Sequence, residues 1–127
     1  MLKKISLSAM VFTYLFAGVF HFTRFDYYLN LVPAFTPYPR VWVGTTGVLE
    51  ILLSFFMSLK PTRRWACFGA LLILGISIPI DSFVLFHGGA GIPLPYGVLV
   101  AQVPFHVLLM LWAYWHSLPS RETHEKT

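Results

Sequence analysis

The sequence predicts an all-α fold: an integral membrane, antiparallel four-helix bundle with a short outer interfacial helix between helices 1 and 2. The 127 residues are 57% hydrophobic and only 11% charged, whereas soluble domains carry about 25% charged residues. The apolar residues form four blocks, at about 5–22, 41–59, 65–86 and 97–116. Each block approaches the ~20 residues that a helix needs to cross a bilayer. The length predicts a single transmembrane domain with a polar tail at 117–127.

The first block follows Lys3 and Lys4, so it has the charged start of a signal peptide. Its apolar run is long for that role, and no small-x-small cleavage site precedes a polar segment. We therefore expect a retained helix.

The connection Thr23–Arg40 is aromatic and apolar as far as Pro33, and repeated prolines then prevent a regular helix. Tyr27 and Tyr28 suit the headgroup level of a membrane. We expect a short interfacial helix followed by an extended return across the outer mouth of the bundle. Simple anchoring at the interface explains this segment as well as a functional lid does.

Charges predict the orientation. Lys60–Arg64 forms a tight turn, so the second and third helices should be antiparallel neighbours, and Gly88–Tyr96 forms the opposite turn. Seven of the nine Lys and Arg residues fall on the side of the termini, and only Arg24 and Arg40 fall on the other. Positive charge accumulates on the cytoplasmic side of membrane proteins. We expect both termini in the cytoplasm and a place in the inner membrane; the net charge of +4 then implies no nucleic-acid partner.

Polar residues inside the apolar blocks can be assigned depths from the helical rise of about 1.5 Å per residue. Glu50 and His106 should each lie ~14 Å from the outer ends of their helices. Asp81 should lie ~9 Å and Gln102 ~8 Å below the outer surface. These depths predict the pairs Glu50–His106 and Asp81–Gln102, in a funnel that opens outward.

Glu50, Asp81 and His106 are the candidate catalytic residues. Ionisable groups within a membrane usually serve a function, and two acids with an imidazole exceed what holding helices together requires. A histidine titrates near neutral pH and can exchange a proton with a carboxylate. His21, Arg24 and Gln102 are the candidate ligand-binding residues. For Gln102, as for Ser54, Ser58 and Ser77, simple hydrogen bonding between helices is the better interpretation.

No cofactor motif is present in the sequence. The single cysteine, Cys67, excludes an internal disulfide or a Cys-x-x-Cys couple. No H-x-x-x-H or E-x-x-H helical pair supports a metal site. His21 and His87 share a depth, as axial haem ligands would, but nothing else indicates haem. A metal-free polar pocket is therefore expected ahead of a metal or haem site.

The order of these features resembles the DoxX-like membrane proteins. The matching stretches are A-G-V-F-H-F at 17–22, V-P-A-F-T-P-Y-P at 32–39, G-V-L-E-I-L-L at 47–53, T-R-R at 62–64, P-x-D at 79–81 and V-P-F-H at 103–106. The resemblance implies a small four-helix protein of a bacterial or archaeal inner membrane, and it places Glu50 and His21 at positions that the family fills in this way. Relatives often have Asn in place of Asp81, Arg near Gln102 and Gln near His106, so the pocket here is more acidic. Some members accompany quinone-linked or sulfur-oxidising oxidoreductases.

Three hypotheses of function follow. The first is an accessory or small subunit of membrane redox chemistry, implied by the resemblance, with a membrane oxidoreductase, a maturation protein or a second copy as partner. The second is a small membrane enzyme that moves a proton on a lipophilic substrate through Glu50, Asp81 and His106. The third is a solute-binding or transport protein, against which the lack of an inverted repeat counts.

Overall fold

A computed structural model describes residues 1–87 and 95–119, and this part of the chain is helical with short connections. The five helices are α1 Leu2–Thr23, α2 Phe25–Leu31, α3 Pro39–Ser58, α4 Arg63–His87 and α5 Tyr96–Ser117. All except α2 are long and apolar enough to cross a membrane. The prediction of an all-α chain with four membrane-length helices is confirmed. Most of the predicted turn at 88–96 and most of the tail lie outside the described residues.

The four long helices expose most of their apolar surface. Between 11% and 22% of their most apolar windows is buried inside the protein. Trp65, Leu72 and Leu108 keep 77%, 66% and 65% of their surface exposed. Water disfavours apolar surface on this scale, whereas lipid accepts it. The helices therefore have the surface of a multi-pass membrane protein.

The long helices pack as two pairs, α1 with α3 and α4 with α5, and α3 joins the pairs by packing against α4. Met10 of α1 shares a buried cluster with Met57 of α3, while Gly18, further along α1, lies against Gly47, earlier in α3. The two helices of this pair are therefore antiparallel. In the second pair, Asp81 of α4 contacts Gln102 of α5, while Gly75, earlier in α4, lies nearest to Met110, later in α5. This pair is therefore antiparallel as well.

The two ends of the molecule differ. We call the end at which α1 ends and α3 begins the α2 end. The main hydrophobic cluster lies toward the opposite end and brings all four long helices together: Met10, Tyr14, Met57, Ala66, Cys67, Ala70, Leu74, Leu109 and Ala113. The helices are thus closely packed toward the opposite end, which leaves room between the pairs toward the α2 end.

A small polar cluster joins α1 to α5 at the opposite end. Trp112 Nε1 donates a hydrogen bond to Ser6 Oγ at 2.8 Å, and His116 Nε2 lies 3.1 Å from the same oxygen. His116, near the end of α5, is buried with 5% of its surface exposed. Ser6 Oγ, Trp112 Nε1 and His116 Nε2 thus each find a partner on the neighbouring helix, as buried polar groups require.

Helix α2 connects the two pairs at the α2 end. Its last residue, Leu31, is buried with Val84 of α4 and Leu99 of α5, and Phe35 packs edge-on against Phe83 with ring centroids 5.1 Å apart. The chain then turns into α3 through Tyr38, whose φ of 52° is left-handed, a conformation that is uncommon for a bulky residue. A short helix thus lies between the first two long helices; its position at a membrane surface stays a prediction.

Candidate functional site

A large cleft lies between the two helix pairs toward the α2 end. Its volume is about 1460 Å³ and most of its lining is apolar. Five of the six candidate site residues line it: His21, Glu50, Asp81, Gln102 and His106. The sixth, Arg24, is exposed at the junction of α1 and α2 and is not part of the lining. The sequence placed Arg24 at the correct end of the molecule but could not predict the direction of its side chain.

The α1–α3 crossing positions the first of two histidine–carboxylate pairs. A Cβ atom on Gly18 would lie 2.9 Å from the Gly47 carbonyl oxygen, and one on Gly47 would lie 2.8 Å from His21 Cβ. Glycine is therefore required at both positions, because small residues allow helices in lipid to approach closely. The close approach places His21 beside Glu50.

His21 and Glu50 are in contact, but the carboxylate lacks a donor. His21 Nδ1 lies 3.0 Å from Glu50 Oε2 and 3.0 Å from the Ala17 carbonyl oxygen. A carbonyl can only accept, so Nδ1 carries a hydrogen directed at Ala17. Glu50 Oε2, although equally close, is buried without a hydrogen-bond partner. We take the bond to Ala17 as the one formed, since only it satisfies both distance and direction.

Tyr28 of α2 covers this pair. Its ring stacks on the His21 imidazole with centroids 3.7 Å apart and planes inclined by 21°. Burial raises the pKa of the Tyr28 hydroxyl to about 12, and the nearby Glu50 charge contributes to that rise. The phenol therefore stays protonated at physiological pH. The α2 segment, expected from the sequence as an anchor or a lid, supplies part of the cleft wall through Tyr27, Tyr28 and Leu31.

The second pair, Asp81 with His106, has its hydrogen bonds complete. Gln102 Nε2 donates to Asp81 Oδ1 at 3.2 Å, and His106 Nδ1 lies 2.5 Å from Asp81 Oδ2. Both carboxylate oxygens thus have partners on α5. The structure places Asp81 beside Gln102, as the depths predicted, but it pairs His106 with Asp81 and pairs Glu50 with His21.

Other polar groups differ from expectation. Ser54, Ser58 and Ser77 bond to carbonyl oxygens of their own helices, Ile51, Phe55 and Ile73, so they do not join helices. Tyr14 also lines the cleft, with 3% of its surface exposed and no partner for its hydroxyl. The spacing of Tyr14, Gly18 and His21 on one face of α1 was the available sequence signal for this wall.

The described residues contain no cluster of three or more His, Cys, Asp or Glu side chains arranged to hold a metal ion. His87, considered with His21 for haem, is exposed and stacks on Phe83 with centroids 4.2 Å apart. It does not line the cleft.

Exposed apolar side chains of α1 and α5 border the cleft. The most exposed large apolar residues of its lining belong to α1 and α5: Phe12, Phe16, Phe105 and Leu108. These two helices contact each other at the opposite end, through Ser6, and separate toward the α2 end. The cleft is thus bordered between α1 and α5 by apolar side chains, and the polar funnel that opens outward stays a prediction.

Comparison with known proteins gives one family match. A family model described as a domain of unknown function (DUF8561) matches residues 10–117, from within α1 to the last residue of α5. No curated protein and no solved structure matches the chain. The resemblance to DoxX-like proteins stays a prediction.

Proposed function

Since the chain belongs to the DUF8561 family of unknown function, we propose a function from the cleft: it binds a lipophilic small molecule with a polar ring, of the quinone class, within the membrane. The observation that supports this proposal is the presence of two histidine–carboxylate pairs in one otherwise apolar cleft. Ligand sites are typically apolar cavities with a few convergent polar groups.

The membrane arrangement is part of the proposal. The four long helices cross the inner membrane as an antiparallel bundle, α2 lies at the outer interface, and both termini are cytoplasmic. The distribution of Lys and Arg supports this orientation. The two pairs then lie within the outer half of the bilayer, where a ring with an apolar tail reaches them from the lipid.

The residues present fit a quinone-class ring. Tyr28 and His21 offer a flat surface, Glu50 Oε2 and Tyr14 Oη are buried polar atoms without partners, and a cleft of about 1460 Å³ accommodates a ring and part of a tail. In this arrangement Glu50, His21 and Tyr14 contact the head group. Bound there, the ring would supply oxidation and reduction chemistry that no side chain provides.

Binding is favoured over stand-alone catalysis by the state of Asp81. The proton-transfer hypothesis requires Glu50, Asp81 and His106 to act together, but His106 is paired with Asp81 and both Asp81 oxygens are bonded within the protein. We therefore propose an accessory role beside a membrane oxidoreductase, as the resemblance to DoxX-like proteins implies.

Blocking the cleft tests the proposal. Ala17 lines the cleft on α1 and Ala9 is exposed on the same helix outside the lining. Ala17→Phe should lower the affinity for decylquinone or decylhydroquinone at least about tenfold, because a benzyl group fills the space for the ring, and Ala9→Phe should not change it. Binding is measured by equilibrium dialysis of protein in lipid nanodiscs against empty nanodiscs.

Two results would contradict the proposal. If neither ring form binds the unmodified chain above the level of empty nanodiscs, the cleft is not a site for this class. If the isolated chain converts a lipophilic substrate by proton transfer and Glu50→Gln abolishes the turnover, the accessory role is wrong.

A further inference from the structure

We propose that Glu50 makes the cleft selective for the hydroxyl-bearing form of its ligand, a lipophilic hydroquinone or phenol, over the corresponding quinone or ether. This inference rests on the proposed function and adds to it the chemical form of the head group. It follows from a difference between the two histidine–carboxylate pairs.

The two carboxylates line the same cleft but differ in their hydrogen-bond partners. Asp81 receives a donor on each oxygen, from Gln102 and His106. The Glu50 side chain is 15% exposed, and its Oε2 atom is buried with no donor. An ionised carboxylate only accepts hydrogen bonds. The bond that Glu50 lacks must therefore come from a group that donates.

The nearest donor of the protein is already used. His21 Nδ1 directs its hydrogen to the Ala17 carbonyl oxygen, although it lies as close to Glu50 Oε2. A buried acceptor that is left unpaired loses the hydration of the unfolded state without replacement. A ligand hydroxyl that donates to Oε2 removes this loss, whereas a quinone or ether oxygen, which has no hydrogen to donate, cannot.

The geometry favours a neutral aromatic hydroxyl over an amine. An alkylammonium carries three donors and needs three acceptors, but Glu50 offers one free buried oxygen. Beside it, the stacked rings of His21 and Tyr28 provide an aromatic surface, and aromatic rings attract one another in stacked or edge-on contact. A hydroquinone carries a second oxygen that can accept from the unpartnered Tyr14 hydroxyl.

Three probes with the same tail distinguish the effect of a hydrogen-bond donor from that of ring shape: decylhydroquinone, decylquinone and the dimethyl ether of decylhydroquinone. Their dissociation constants are measured with protein in nanodiscs, without oxygen, so that the hydroquinone stays reduced. A hydrogen bond to a charged partner corresponds to about 10- to 100-fold in affinity. We expect decylhydroquinone to bind more tightly than either other probe by that factor.

The variants Glu50→Gln and Asp81→Asn form a matched pair, since each replaces one cleft carboxylate by its amide. Glu50→Gln should reduce the preference for decylhydroquinone to about 3- to 10-fold, because a neutral acceptor bonds about half as strongly and half the free energy is the square root of the affinity ratio. Asp81→Asn should retain the preference. Labelling of the buried Cys67 by a thiol dye on heating shows whether each variant is folded.

The outcomes separate this inference from the proposed function. Equal affinity of the unmodified chain for decylhydroquinone and decylquinone, or tighter binding of the quinone, overturns the selectivity while leaving a ring-binding cleft. A preference that is undiminished in a folded Glu50→Gln variant overturns the role of Glu50. Failure of all three probes to bind overturns both proposals.

Discussion

Asp81 is bonded from two sides by α5, through Gln102 at 3.2 Å and through His106. The Asp81→Asn substitution replaces one acceptor oxygen by an NH2 group, which faces a donor of Gln102 or His106. We expect the free energy of unfolding to fall by about 1–2 kcal/mol, the upper range for polar contacts between membrane helices. The measurement is the temperature at which Cys67, buried in the native fold, reacts with a thiol dye.

Asp26→Asn is the control for that experiment. Asp26 lies on α2 and is exposed, and exposed substitutions usually change stability by less than about 0.5 kcal/mol. Equal unfolding temperatures for the two variants would mean that the contact of Asp81 with α5 does not stabilise the fold.

Depth was predictable for individual residues, but partners were not. A fixed rise per residue placed Asp81 level with Gln102, and the two are bonded. The same counting placed Glu50 level with His106, but Glu50 lies beside His21. Depth along a helix does not determine which helices are neighbours. For Arg24, the direction of the side chain depends on how α1 ends, which the sequence does not specify.

Helix α3 carries two glycines three residues apart in very different surroundings. A Cβ on Gly47 would lie 2.8 Å from His21 Cβ and 3.3 Å from the Gly18 carbonyl oxygen, whereas one on Gly44 would meet nothing within 4 Å. Gly47→Ala should force α1 away from α3 and destabilise the protein by about 1–3 kcal/mol. The same change should separate His21 from Glu50.

Gly44→Ala should instead stabilise the protein, since Ala favours a helix over Gly by up to about 1 kcal/mol. Thermal labelling of Cys67 measures both variants. The close crossing is refuted if the two alanine variants are equally stable.

Helix positions were predictable because four long apolar blocks have few alternatives, and α1, α3, α4 and α5 correspond to them. The spacing of Tyr14, Gly18 and His21 indicates one face of α1, and Gly18 on that face packs closely against Gly47 of α3. The pairing of α1 with α3 and of α4 with α5 could not be predicted from the sequence, because a face of small and polar residues can pack against more than one neighbouring helix. The buried cluster of Ser6, Trp112 and His116 was not predictable, because polar and aromatic residues near a helix end are equally typical of a membrane interface.

At the scale of the whole molecule, the charge distribution predicts which side of the membrane each end faces. Cysteines introduced by Asn30→Cys on α2 and Lys60→Cys in the α3–α4 turn lie at opposite ends, and both positions are exposed. In spheroplasts, a membrane-impermeant thiol reagent should label position 30 directly and position 60 only after permeabilisation.

Native Cys67 is buried and should react little with the reagent. Labelling of the unsubstituted chain measures this background. The reverse labelling pattern would invert the orientation. Labelling of both positions from outside would mean that α3, the long helix between them, does not cross the membrane. The four-span arrangement would then be wrong.

The gap between Phe12 and Phe16 on one helix and Phe105 and Leu108 on another determines how affinity should be expressed. Under the proposed function a ligand enters through this gap from the bilayer, so its mole fraction in the lipid, rather than its molarity in buffer, sets occupancy. Adding empty lipid at a constant total amount of probe would therefore lower the fraction of protein that is occupied, without altering any contact in the cleft.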